Sequence, residues 1–312
     1  MNDWILIQSL VVAVSAGTPV VLAGTGAILT QRSGVLNLGV EGMMLIGAVT
    51  GFWATTSTNS PVAGLVVGTL AAAAFSLIHA VLAISLRANQ IVIGVALVIL
   101  GSGLSSFIGD QGEPAVVSRI SGGIFEPVFA ESVHDWPGVG PLLLSYDPIV
   151  YLSWACVAAV EWYIFRTRTG MHLRAVGHDP ASADAAGLNV SGVRYLHVAL
   201  GGAAAGAGGA YLTLRLFSDW FDDMTAGVGW IAVILVILAS WRALRLLAAA
   251  YAFGAVSSLG FTLQLLGWKI PTELLSILPF LLTYLVMVAV SAAERRSQVP
   301  ASLAEPYFRE SR

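Results

Sequence analysis

The sequence predicts an all-α, polytopic integral membrane protein of about nine transmembrane helices, N-terminus outside and C-terminus inside. Three observations carry this. Of 312 residues, 57% are hydrophobic and only 11% charged, where a soluble domain carries about 25% charged residues; the mean hydropathy is +0.81. Apolar stretches of about 20 residues, the length a helix needs to cross hydrocarbon, recur from end to end. Most Arg and Lys fall on one side of those stretches once they are threaded in order. The alternating ten-residue segments of an outer-membrane barrel are absent.

The spans are expected at roughly 4–29, 34–56, 61–86, 90–109, 146–165, 194–216, 228–241, 246–267 and 274–292. The first has no cationic leader before it, so it is expected to remain as a helix. The second holds Glu41, read as the one acidic residue deep within a span, about 12 Å from the start of its helix. Asn37 precedes it by one turn on the same face. The third and fourth are separated by Arg87-Ala88-Asn89-Gln90, where Asn89 and Gln90 either line the inner end of a polar pathway or cap the fourth helix. Segment 110–145 follows, with four Pro and five acidic residues against Arg119. Glu161, near the end of the fifth span, is expected to pair with Arg166. The sixth span contains Gly201-Gly202-Ala203-Ala204-Ala205-Gly206-Ala207-Gly208-Gly209, a run that lets helix backbones approach closely. The seventh is short and reads as either a span or a broken, re-entrant helix, which is tolerated only inside protein or beside a cavity.

With the C-terminal tail, 293–312, placed inside, twelve of the fifteen basic residues lie in cytoplasmic segments. Arg119, Arg215 and Lys269 remain outside, with the acidic groups Glu113, Glu126, Glu131, Asp135, Asp219, Asp222 and Asp223. An ionisable group within the membrane is a functional candidate by default, so Glu41 stands between a pathway role and a packing role. His79 and His197 read as hydrogen-bonded core residues. The lone Cys156 offers neither a disulfide framework nor a cysteine metal site. A net charge of −3 without a basic run argues against a nucleic-acid partner. No phosphate-binding G-x-x-x-x-G-K-[ST] loop occurs, so any ATP used in transport must be bound by another subunit; no cofactor is expected in this chain.

Segment 166–193, RTRTGMHLRAVGHDPASADAAGLNVSGV, is expected to face the cytoplasm. Gly177 reads as a break. Asp179 is a helix N-cap with Pro180 at the first helical position, and Gly187 supplies the stop. A short capped helix with its own start and stop signals suits docking to a cytosolic partner better than a simple connection.

This segment, together with QRSGVLNLGVEGMMLIGA at 31–48 and RANQIVIGVAL at 87–97, resembles the permeases of ABC importers for branched-chain amino acids, simple sugars and nucleosides. The similarity extends from about Ser15 to Glu305-Pro306-Tyr307 and is closest to the subgroup paired with basic-membrane-protein-type nucleoside-binding lipoproteins. It implies a translocation subunit in a bacterial inner membrane for nucleosides or a related small polar solute such as a purine or simple sugar. The implied partners are a cytosolic ABC ATPase, a second permease subunit that is a paralogue, and an extracytoplasmic solute-binding lipoprotein. Gly177, Asp179, Pro180, Ala183 and Gly187 are implied to dock the ATPase. The chain departs from the subgroup at Asn89, usually Asp, and at Ser240-Trp241-Arg242-Ala243, usually an Asn-Pro-type turn. An ion-coupled secondary transporter is the alternative; an intramembrane enzyme falls behind, because Asp222-Asp223 has no second acidic motif to complete a metal site.

Overall fold

Every element that the computed structural model describes is helical. It describes residues 2–110, 125, 127–129, 140–265, 271–292 and 299–309. Helix α1 spans Asn2–Arg32, α2 Val40–Thr58, α3 Pro61–Ala80 and α4 Gln90–Gly109. Then come α5, Pro148–Arg166; α6, Arg168–His178; α7, Pro180–Ala185; and α8, Val190–Tyr211. The chain closes with α9, Val228–Leu238; α10, Ala243–Leu265; and α11, Thr272–Ala292. Each expected span therefore overlaps a helix, although the second begins only at Val40. By length and hydropathy, five helices among the described residues suffice to cross a membrane, and α9 is a shorter apolar helix. Most of the 110–145 connection, including Glu113, Arg119, Glu126, Glu131 and Asp135, lies outside the described residues, as do Lys269 and 293–298 of the tail.

Starts and stops follow from local chemistry. Ser60 caps α3, with Pro61 at its first position. The Asp147 carboxylate caps α5 by accepting from the amides of Ile149 and Val150 at 2.9 and 3.2 Å. That carboxylate also accepts from the Tyr211 hydroxyl at 2.9 Å and faces Arg215 at 3.4 Å, fastening α5 to the far end of α8. Both α3 and α8 end in a five-residue π-helical turn, Val81–Ser85 and Leu212–Leu216.

The small-residue run makes α8 the centre of the bundle, packed against α1, α2 and α3. A Cβ on Gly206 would collide with Ala72 and with the Gly68 carbonyl, and one on Gly209 with the Met44 carbonyl. At such distances hydroxyls bridge backbones: Thr30 donates to the His197 carbonyl at 3.1 Å, and Ser76 to that of Val198 at 3.2 Å. His79 meets the Leu36 carbonyl at 3.2 Å; His197 bridges Val193 and the Tyr163 hydroxyl, so both histidines are hydrogen-bonded core residues.

One local expectation is corrected. Glu161 pairs with Arg242 at 2.6 Å, not with Arg166, and accepts from the Ala243 amide at 2.9 Å. It thereby serves the first turn of α10, a partner that only the fold brings near. The turn before α10 has an unusual backbone. Ser240 and Trp241 both adopt positive φ, 52° and 55°, a conformation costing about 1–2 kcal/mol per L-residue. Trp241 is buried there, its indole donating to Gln31 at 2.7 Å while its carbonyl accepts from Arg32 at 3.1 Å.

Candidate functional site

The bond from Trp241 to Gln31 and Arg32 sets α9 level with the end of α1. The eleven residues of α9 rise at most about 16 Å from there, roughly half of a 30 Å hydrocarbon core. That length suits the broken-helix alternative better than a complete span. The first amides of a helix have no partner within it, so the N-terminus of α9 needs acceptors.

Glu41 supplies them. One carboxylate oxygen accepts from the Thr225 hydroxyl at 2.5 Å and the Gly227 amide at 2.8 Å. The other accepts from the amides of Gly229 at 2.6 Å and Trp230 at 3.3 Å. A negative group against the positive end of a helix is the favourable arrangement. Gly227, at φ +88°, lets the chain turn into α9 with its N–H aimed at the carboxylate.

Residues 217–227 return from the end of α8 to the start of α9, and α4 holds them. Ser102 donates to Asp223 at 2.7 Å, Ser106 to Asp222 at 2.5 Å, and the Trp220 indole to Ser105 at 3.3 Å. Beside the junction lies a cavity of about 400 Å³ whose walls include Glu41, Val98, Ser102, Asp223 and Trp230. An aromatic face, a carboxylate and a hydroxyl thus surround a space of the size a small polar solute needs. Apart from Glu41, these groups were missed by sequence reasoning. The available signal was the trio Ser102, Ser105 and Ser106, at helical spacing on one face of an otherwise apolar helix.

The other expected pathway residues do not line this cavity. Asn37 is not one turn before Glu41 on a helix: residues 34–39 are non-helical, and Glu41 lies in the first turn of α2. Gly34, at φ +87°, breaks the chain. Asn37 instead turns the backbone into α2, accepting from the Gly39 amide at 2.9 Å. Gln90 holds the same segment by accepting from the Leu36 amide at 2.7 Å. Asn89 caps α4, accepting from Ile91 at 3.0 Å and Val92 at 3.2 Å.

At the opposite end of α8, segment 166–193 forms two helices. Gly177 is not a break, because α6 runs through it. It is a point of close approach, where a Cβ would strike the Arg32 carbonyl. The break comes at Asp179, whose carboxylate accepts from the amides of Ala181 at 3.1 Å and Ser182 at 3.0 Å. The Ser182 hydroxyl, which also donates to it, holds Asp179 below the usual carboxylate range, so the cap persists at neutral pH and is lost only in acid. Pro180 begins α7, and Gly187, at φ +87°, ends it with open space around its α-carbon. Ala183 is buried against Val176, Val190 and Tyr307. The tail fastens this end, because Ser302 donates to the Gly177 carbonyl at 2.9 Å and Arg309 faces Asp184 at 3.3 Å.

Comparison with known proteins agrees with this architecture. The family profile described as "Branched-chain amino acid transport system / permease component" matches residues 9–287. The provisionally named glucose ABC transporter permease protein TsgC13 of Haloferax volcanii is 37% identical, over 95% of this chain and 96% of that one. The guanosine ABC transporter permease protein NupQ of Bacillus subtilis is 32% identical over 98% and 99%. Among solved structures, a provisionally assigned metal-chelate type ABC transporter in an inward-facing conformation aligns with a TM-score of 0.50. It covers 91% of this chain and 85% of that one at 17% identity, a likeness of fold alone.

Proposed function

The chain belongs to the branched-chain amino acid transport system permease family, and we propose that it forms part of an importer pathway for nucleosides or related small polar solutes. The single observation that carries this is the half-length α9, capped by Glu41 at the edge of a cavity bearing Trp230, Asp223 and Ser102. A flat aromatic suits a base, and the carboxylate and hydroxyl suit a ribose or sugar diol. The names of the relatives, a guanosine and a glucose permease, support the same solute range. ATP hydrolysis belongs to a partner subunit, docked on Gly177, Asp179, Pro180, Ala183 and Gly187. A second permease, a paralogue, covers the open side of the cavity, where Ile99 is exposed. A solute-binding lipoprotein delivers from outside the bacterial inner membrane. The ion-coupled alternative needs a carboxylate free to exchange a proton, and Glu41 is committed to four donors.

The solute role is tested by Trp230→Ala in proteoliposomes with the ATPase and binding protein. KM for a nucleoside should rise about tenfold, the scale of one lost aromatic contact, with kcat little changed. An unchanged KM removes Trp230 from the pathway. Orientation is tested with single cysteines at Ser191 and at Ser132, which lies outside the described residues, in a Cys156→Ser background. An impermeant thiol reagent should label Ser132Cys in intact cells and Ser191Cys only after permeabilisation; equal labelling from outside contradicts the N-out chain.

A further inference from the structure

A second cavity, of about 420 Å³, lies beside α7, with Arg87, Asp184, Ser191, Arg194, Tyr307 and Arg309 in its walls. Among the described residues, its charges do not balance. Asp184 is engaged by Arg309 at 3.3 Å. Arg194, in the second turn of α8, is only 2% exposed. Its guanidinium donates to the Ser33 carbonyl at 3.2 Å and the Ser302 hydroxyl at 3.4 Å, both neutral acceptors. Among the described residues, no carboxylate pairs with it. Arg87 adds a second cation, held in a left-handed conformation at φ 56° with its guanidinium 4.6 Å from the centre of the Phe308 ring.

A buried cation served only by neutral acceptors is unfavourable until an anion completes the site. The N-terminus of the 22-residue helix α8 points the same way. Its Asn189 cap takes the Gly192 amide at 2.9 Å, which leaves the amides of Val190 and Ser191 and the Ser191 hydroxyl as donors at the cavity wall. Two guanidinium groups with first-turn amides make a charge-assisted cradle that fits a tetrahedral oxyanion.

We propose that this cavity binds a phosphate group between Arg87, Arg194 and the first turn of α8. A soluble phosphate compound and the headgroup of an anionic phospholipid both present that group. Exposed Leu86, Ile91 and Val92 give the neighbouring surface the apolar margin a lipid would need. Asp184 and Gly187 share the cavity wall, so the bound phosphate braces segment 180–187. That consequence rests on the docking role proposed above, whereas binding itself does not.

The test uses the purified full-length protein. Inorganic phosphate is titrated in detergent against chloride at matched ionic strength, and the same protein is placed in nanodiscs of phosphatidylcholine with or without phosphatidylglycerol. The melting temperature should rise in at least one arm. A rise with inorganic phosphate assigns a soluble ligand; a rise confined to phosphatidylglycerol assigns the lipid. Arg87→Gln, at an exposed position, should need about tenfold more ligand for the same rise. Arg168→Gln, exposed and outside the cavity, should match the wild type. Arg194→Gln should abolish the response, and the Arg87 variant keeps the test valid if that protein fails to fold. No rise in either arm, or an equal response from Arg87→Gln and wild type, overturns the proposal. Unchanged ATPase coupling with bound phosphate removes only the bracing of segment 180–187.

Discussion

Glu41→Ala is expected to lower stability by about 3–5 kcal/mol, the scale of leaving several buried donors unsatisfied at about 1–3 kcal/mol each, and to reduce uptake to background. The substitution deletes every acceptor that the Thr225 hydroxyl and the amides of Gly227, Gly229 and Trp230 use. Charge-assisted hydrogen bonds are the strong class, and Glu41 and Thr225 are both buried, so water does not readily replace the lost acceptors. Residues 217–227 then lose one of their two anchors, the other being the serine face of α4, and the cavity wall moves with them. Glu41→Gln separates charge from shape. Both carboxylate oxygens accept, so an amide must turn its NH2 toward donors on one side. An intermediate loss of about 2 kcal/mol follows, on the scale of one unsatisfied buried donor. Melting curves of the purified variants beside uptake rates check this. A Glu41→Ala protein as stable as wild type would show that α9 does not depend on the cap.

The second large effect is expected at Gly187. Its φ of +87° disfavours any side chain, by about 1–2 kcal/mol, but nothing in the chain lies near an added Cβ. Gly187→Ala carries the strain without the bulk, and Gly187→Leu carries both. If α7 docks in the ATPase, Gly187→Ala should couple nearly normally, while Gly187→Leu should lose most transport-stimulated hydrolysis with the permease still folded. Co-purification with the ATPase and hydrolysis with and without solute distinguish them. Equal coupling by the two variants would reduce segment 180–187 to a connector.

The features read correctly from sequence are those decided within a few residues. Long apolar stretches become helices because lipid leaves the backbone no other partner. Asp179, Pro180 and Gly187 bracket α7 because caps and left-handed stops are local chemistry. The misreadings share one cause, which is that the deciding partner is remote in sequence. Val35, Leu36 and Leu38 are apolar enough to extend a helix, yet Gly34 breaks it and Gln90, 54 residues on, holds the Leu36 amide. Gly177 resembles a break until its contact with Arg32 is seen. Glu161 finds Arg242 rather than the nearby Arg166. Glu41 was expected deep within a span, yet it lies in the first turn of α2, and its purpose was hidden because its four donors lie 184 to 189 residues away.

Vesicle uptake distinguishes a permease of an ATP-driven pathway from a gradient-driven carrier. Proteoliposomes holding the chain with its second permease and ATPase, supplied with the binding protein, would receive labelled nucleoside with either ATP or ADP on the ATPase side. Proton and sodium gradients are collapsed by ionophores. The account predicts uptake that requires ATP, persists without either gradient, and stops when the ATPase is omitted. Gradient-driven uptake by the chain alone, indifferent to ATP, would contradict it.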